Sequence, residues 1–359
     1  MRLAPSDEQQ QLKDAARRFC VEQVTPERLA AWAKSESGVD ETLWRLVADL
    51  GWFGLGVPTA SGGSGLGLVE VACLVEECGR GLIPRPIINA IRSGVALATL
   101  DPEAAELAAL ANGRDTLALA VDERRARDPR HFETTVKRGR KEDTLDGEKW
   151  YVADAARATW DLVLVRGKDG PLFVLIEAAN REAQSLRTFD GDRQARVRYA
   201  KTPVVRRVGT SGDVERVRRQ QTVLGLAEMI GGMDAVLAAT VDYVKQREQF
   251  GQKLAVFQAV QHQIADMATS FTAARHLGWQ AITRLAGGTE QASDLAIAAA
   301  YVGQAFKRLS LAAHHLHGGA GYVVEHPLHY HAERAQSLCI RDTPEGVALE
   351  AVATDLLGC

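Results

Sequence analysis

Cysteine is scarce in this sequence, five in 359 residues, and no two are spaced as Cys-x-x-Cys. Cys20, Cys73, Cys78, Cys339 and Cys359 argue against both a disulfide framework and a zinc site, and point to unpaired thiols in or near a core. No uninterrupted apolar run approaches the roughly 18 residues of a membrane span, and the N-terminus, MRLAPSDEQQQ, lacks the apolar stretch of a signal peptide. The expectation is a soluble, cytoplasmic protein with no membrane partner. Positive charge is not in surplus either: the formal net charge is -3, so no global field draws the chain to nucleic acid. Internal repeats and low-complexity segments are absent. His314, His315, His317, His326, His329 and His331 lie across a glycine turn, with no Glu-x-x-His repeat beside them, so no metal site is expected. What remains is a chain long enough for two or three domains and a sizeable core.

Periodicity divides that chain into three segments. Residues 1–114 read as helices, opened by a capping box at Ser6-x-x-Gln9 and continued from Thr42 to Leu50. A glycine-rich stretch, Gly62-Gly63-Ser64-Gly65-Leu66-Gly67, needs positive φ rather than a phosphate, since no Lys-Ser/Thr follows it. Residues 115–208 change to period two and β-branched side chains. Asp161–Val165 and Leu172–Ile176 read as buried strands, and Asp146-Gly147 reads as a turn. Basic residues (Arg124, Arg125, Arg127, Arg130, Lys137, Arg138, Arg140 and Lys141) crowd this segment, interleaved with acids as on a solvated surface. Residues 209–359 are helical again. Val223, Leu226, Ile230, Met233, Leu237, Val241 and Val244 form one stripe, and Leu295, Ala299, Val302, Phe306, Leu309, Ala313 and Leu316 another.

The densest signal is Tyr243–Asp266, YVKQREQFGQKLAVFQAVQHQIAD. One helix ends near Arg247, the chain breaks at Phe250-Gly251, and a second helix follows with Phe257, Val260, Ile264, Met267 and Phe271 on one face. Arg247, Gln249 and Phe250 therefore sit at a helix end, where a guanidinium can fork onto a phosphate and a ring can lie under a flat ligand. Arg-x-x-Phe-Gly followed by Phe-Gln-x-x-Gln resembles the acyl-CoA dehydrogenase family of flavoproteins. His314-His315-Leu316-His317-Gly318-Gly319-Ala320-Gly321-Tyr322 is similar to the family's Gln-x-x-Gly-Gly-x-Gly-Tyr motif, with His315 in place of glutamine.

The resemblance implies an α+β fold of an N-terminal helical domain (1–114), a middle small β-barrel or sandwich domain (115–208) and a C-terminal four-helix bundle (209–359). It implies FAD as cofactor, held across a subunit interface by Arg247, Gln249, Phe250, Gln258, His315, Gly318 and Gly319. It also implies α,β-dehydrogenation of an acyl-CoA thioester, with a carboxylate taking the α proton, a hydride passing to flavin and the electrons leaving to an electron-transferring flavoprotein.

The chain's own flavin segments depart from the family. Where members carry Thr-Glu-Pro-x-Ala-Gly-Ser-Asp, this chain has Val121-Asp122-Glu123-Arg124-Arg125-Ala126-Arg127-Asp128, without the proline and serine. Where they carry Gly-x-Lys-x-Trp-Ile-Thr it has Gly147-Glu148-Lys149-Trp150-Tyr151-Val152-Ala153, and Ala153 supplies no hydroxyl to hydrogen-bond a flavin ring. Counting from Gly318-Gly319 places Asp342 at the family's catalytic glutamate; a three-residue insertion places Glu345 there, and the other base position seen in relatives falls on Gln221. Thr343-Pro344 reads as a helix start, with Asp342 and Glu345 suited to its dipole.

The expectation is thus a partner subunit, in a heterotetramer with a second acyl-CoA dehydrogenase-like chain, that lends its half of the FAD site to that chain. Resemblance to paired actinobacterial dehydrogenases suggests a steroid side-chain thioester. The alternatives are a self-sufficient dehydrogenase or nitroalkane-type oxidase with Asp342 as base, and a structural subunit without flavin.

Overall fold

A computed structural model describes residues 5–323 and 326–357. Helices come first: α1 (Asp7–Gln23), α2 (Pro26–Lys34), α3 (Glu41–Asp49), α4 (Leu68–Arg80), α5 (Arg85–Leu100) and α6 (Leu107–Ala111). Strands follow: β1 (Leu117–Ala120), β2 (Thr135–Lys137), β3 (Thr144–Ala153), β4 (Trp160–Gly167), β5 (Gly170–Glu177), β6 (Glu182–Leu186), β7 (Gln194–Pro203) and β8 (Arg206–Val208). Then come α7 (Ser211–Gln246), the two-residue strands β9 (Glu248–Gln249) and β10 (Gln252–Lys253), α8 (Gln258–Ala286), α9 (Ala292–His317), α10 (Leu328–Arg341) and α11 (Glu345–Leu357). The helix, sheet, helix order is the expected one. The described residues form two compact units, one of Ala30–Gly67 with Pro84–Arg218, the other of residues 5–29, Leu68–Ile83 and the described residues from Arg219 on.

The first of these units is built on a mixed eight-stranded sheet, in the order β6-β7-β3-β2-β4-β5-β8, with β1 added parallel to β4. The run Asp161–Val165 explains its two cores. Leu162 and Leu164 face a cluster with Ala96, Leu97 and Leu100 of α5 and Leu107 and Leu110 of α6. Val163 and Val165 face the opposite cluster, with Val152, Ala195, Val197 and Tyr199. A strand covered on both sides reads as a continuous apolar run, as this one does. Within the second cluster the buried Asp161 accepts hydrogen bonds from Arg181 Nε (3.0 Å) and Tyr199 Oη (3.1 Å).

One expectation is corrected here: Asp146-Gly147 is no hairpin turn but lies inside β3, at a register shift against β7. Gly147 is needed for close approach, since a Cβ there would stand 2.5 Å from Thr134 Cα, at a φ of +145°. Gly62 and Gly65 do take the positive φ expected of them, and the Ser6–Gln9 capping box is formed.

The second unit holds α7 from Arg219 onward, together with α8 to α11. Both apolar stripes that the sequence shows in α7 and α9 are mostly buried, Val223, Leu226, Ile230 and Met233 on α7 and Val302, Phe306, Leu309 and Ala313 on α9. By length and composition α7 could cross a membrane, but 67% of its most apolar stretch is buried inside the fold, as in a core helix. Several charged groups buried here are paired, as burial of a charge requires. Lys13 of α1 reaches Glu76 (2.8 Å) and Glu77 (3.1 Å) of α4, Arg17 pairs with Glu77, and Trp279 Nε1 of α8 donates to Glu76 (3.0 Å). Cys20, Cys73, Cys78 and Cys339 are buried free thiols, and Cys359 lies outside the described residues.

Candidate cofactor-binding site

The Tyr243–Asp266 stretch folds into a hairpin set between two long helices. α7 ends at Gln246, β9 and β10 pair through Gln249 and Gln252, and α8 begins at Gln258. Phe250 and Gly251 form the two-residue turn, with φ of +54° and +80°, the pair of positive values a type I′ turn requires. Glycine meets that demand freely. Phe250 does not, for a side chain in the left-handed region costs about 1–2 kcal/mol. Its ring is also 91% exposed. The Arg247 backbone is fixed at both ends, its N–H donating to Tyr243 O (2.8 Å) and its carbonyl accepting from Leu254 N (2.9 Å). Among the described residues its exposed guanidinium has no hydrogen-bonding partner. Gln249 and Gln258 are exposed as well.

The second motif ends α9. Gly318 has φ +57° and ψ -139°, and its N–H donates to His314 O and His315 O. A Cβ on Gly318 or Gly319 would meet nothing within 4 Å, so both backbones face open space. His315 is exposed, whereas His314 and His317 are buried, with their Nδ1 atoms 2.8 Å from Ser310 O and 3.0 Å from Ala313 O. Each carbonyl can only accept, so both rings carry their proton on Nδ1. Burial and the neighbouring His326 push the His317 pKa down to about 4. Among the described residues no cluster of His, Cys, Asp or Glu has metal-holding geometry.

The two carboxylates offered as a base are placed very differently. Glu345 is exposed and accepts a hydrogen bond from Gln304 Nε2 (2.8 Å) of α9. Asp342, at the C-terminal end of α10, turns inward with its side chain 7% exposed and is forked by Arg341, at 3.0 Å from Nε and 3.4 Å from Nη2. It lies against α7 where Gly225 has no side chain; a Cβ there would stand 2.7 Å from Asp342 Oδ2. Gly225 is one helical turn beyond Gln221, so Gln221, the other position named by counting along the sequence, shares the face of α7 against which Asp342 lies.

The residues that would hold a flavin ring within the sheet unit are differently built. Glu123 accepts from the backbone of Glu133 (2.8 Å) and Thr134 (3.0 Å) and from Lys149 Nζ (3.1 Å), pinning both ends of the loop after β1. Lys149 is fully buried, lies 3.6 Å from the Phe132 ring centre, and has its pKa pushed down to about 8 by burial. Arg124 and Arg196 place their guanidinium carbons 5.0 and 5.3 Å from the Trp150 ring centre, and Glu148 accepts from both Arg196 and Trp150 Nε1. The groups of this segment already bond one another, and Ala153 adds no hydroxyl. The hairpin and the glycine turn thus present open groups that a dinucleotide cofactor such as FAD would fit, whereas the groups here are already engaged with one another.

Sequence reasoning found the hairpin and the glycine turn. It missed the Glu123–Lys149 pair, although a lysine at an inward-facing strand position was a signal, and it missed that Tyr243 meets His317.

Helices, a mixed sheet and helices again, with an Arg-x-x-Phe-Gly hairpin beyond the longest helix, define the fold class of the flavoprotein acyl-thioester dehydrogenases. Residues 220–357 match the acyl-CoA dehydrogenase C-terminal domain and residues 6–103 the N-terminal domain. Acyl-CoA dehydrogenase FadE28 of Mycobacterium tuberculosis is 30% identical over 300 residues, covering 80% of this chain and 84% of the relative. Acyl-CoA dehydrogenase IpdE2 of the same organism is 28% identical over 337 residues, 93% and 92% of the two chains. A solved structure of a Tcur3481–Tcur3483 steroid ACAD variant superposes with a TM-score of 0.91 at 29% identity, over 98% of each chain. The ChsE4–ChsE5 complex of M. tuberculosis shares the fold, with a TM-score of 0.93 at 23% identity over the full length of both. The chain belongs to the acyl-CoA dehydrogenase family.

Proposed function

We propose that this chain is one subunit of a heteromeric, FAD-dependent acyl-CoA dehydrogenase and completes the cofactor site of a partner chain. The observation that carries the reading is a contrast. Arg247, Phe250 and the Gly318–Gly319 backbone stand open, whereas Glu123, Arg124, Lys149 and Trp150 are bonded among themselves. Arg247 would pair with the cofactor's diphosphate, Phe250 would lie against its adenine half, Gln249, Gln258 and His315 would hydrogen-bond its edge, and the glycine amides would approach it closely. FAD, when bound, supplies the hydride acceptor. A steroid side-chain CoA thioester is the substrate class suggested by the steroid ACAD likeness, an electron-transferring flavoprotein is the electron acceptor, and the assembly is a cytoplasmic heterotetramer. The domain bounds 1–114, 115–208 and 209–359 belong to the same proposal.

The test is the FAD content of the purified chain. Expressed alone, it should carry little or none; co-expressed with its dehydrogenase-like partner, it should yield about one FAD per pair of chains. One FAD per chain in a homo-oligomer would sink the reading.

The position of Asp342 against Gly225 favours a second reading, a self-sufficient enzyme in which that carboxylate takes the α proton. Asp342→Asn would then abolish turnover while leaving flavin bound. Under the heteromeric reading the same variant changes neither the turnover of the partner's site nor its flavin.

A further inference from the structure

We propose that Tyr243 is a positioning residue that ties the Arg247–Phe250 hairpin to the Gly318–Gly319 turn, so that both meet one ligand at a fixed spacing. The inference rests on the reading that these two segments hold a single dinucleotide.

Three contacts on one side chain and its backbone carry it. The Tyr243 carbonyl accepts the Arg247 N–H at 2.8 Å, the last helical bond before the hairpin. The phenol hydroxyl donates to His317 O at 3.2 Å, across 74 positions of sequence. The phenol ring lies 4.3 Å from the His317 imidazole, centre to centre, at 35°. Arg247 is one turn beyond Tyr243, and Gly318 is the residue after His317.

The hydroxyl has a defined task. The last carbonyls of a helix lack partners within the helix. At the end of α9, His314 O and His315 O receive the Gly318 N–H, and His317 O receives the Tyr243 hydroxyl. That bond fixes the peptide joining His317 to Gly318, the plane from which the open glycine backbone departs. The imidazole is an equally fixed surface for the ring, held through Nδ1 by Ala313 O and packed against His326 at 4.9 Å. Phenylalanine at 243 would keep the ring contact and lose the bond to the carbonyl; leucine would lose both.

Two measurements test the joint. In the full-length chain, deuterium exchange of the 247–253 and 316–322 amides should accelerate together in Tyr243→Leu. In Tyr243→Phe it should accelerate in 316–322 alone. In the co-expressed complex, FAD should dissociate about fivefold more readily for Tyr243→Phe, the loss expected for one hydrogen bond, and at least tenfold more readily for Tyr243→Leu. Val223→Ala, which opens a gap elsewhere in the core beside α7, serves as the comparison for plain destabilisation. If both Tyr243 variants only lower the melting temperature, as Val223→Ala should, with exchange in the two segments and FAD affinity unmoved, the proposal is overturned. Arg247→Ala separates it from its premise. Unchanged FAD affinity in that variant removes the dinucleotide reading, whereas lost affinity with intact binding in Tyr243→Leu removes only the positioning role.

Discussion

Phe250 holds a backbone conformation that suits asparagine or glycine better, and it spends 91% of its surface in water. Its replacement by Gly should therefore stabilise the isolated chain by up to about 1 kcal/mol, the relief of the left-handed conformation being offset in part by glycine's greater loss of backbone entropy on folding, measured as a higher denaturation midpoint, while weakening FAD retention in the proposed complex. A residue that costs stability and serves a site is a known pattern in strained turns. The glycines after α9 should divide in the same way. Gly318→Ala puts a side chain at φ +57°, ψ -139° and should cost about 1–3 kcal/mol. Gly319→Ala meets no atom within 4 Å, so it should leave stability within about 0.5 kcal/mol and act only on cofactor binding.

At the scale of elements, the loop after β1 and the end of α2 are each held by one side chain. Glu123 anchors a loop carrying Arg124, Arg125, Arg127 and Arg130, so Glu123→Gln should speed tryptic cleavage between residues 124 and 130 in a timed digest. Arg193 donates to Trp32 O (2.9 Å), Ala33 O (3.1 Å) and Glu36 O (3.1 Å), and also to Ser35 O, gathering the loose carbonyls where α2 ends. Arg193→Ala should cost about 1–3 kcal/mol and raise amide exchange in 32–40. The sequence made the helices legible, because their apolar stripes repeat with the period of the structure. It made the Phe250-Gly251 break legible through a motif. It could not show what Arg193 or Tyr243 touches, since those partners lie 157 and 74 positions away and no period links them. Asp146-Gly147 was misread for a related reason. Gly147 answers to the Thr134 backbone across the sheet, and a local rule sees only a turn dipeptide.

For the whole molecule, buried titratable groups set two pH windows. His317 and His331 have folded values of about 4 and about 3, below the 6.5 of an ordinary histidine, with burial the leading cause. The unfolded chain then binds more protons below pH 6.5, so the stability these two histidines contribute is full above that value and falls as pH drops toward 3. The loss should reach the order of a few kcal/mol by pH 4, seen as a falling urea midpoint, and His331→Phe should flatten it. Lys149 acts at the other end. Its folded value is about 8 against an ordinary 10.5, so its burial is least unfavourable at high pH and stability should rise between pH 8 and 10.5, a rise absent in Lys149→Met.

The exposed ring at the tip of the hairpin also bears on supply. Under the heteromeric reading, a copy not yet joined to its partner would keep Phe250 in water, at the tip of the hairpin turn. The side chain that would complete an assembly would then also label every unassembled copy, and balanced synthesis of the two chains would become a condition for keeping this one from sticking to itself or being cleared.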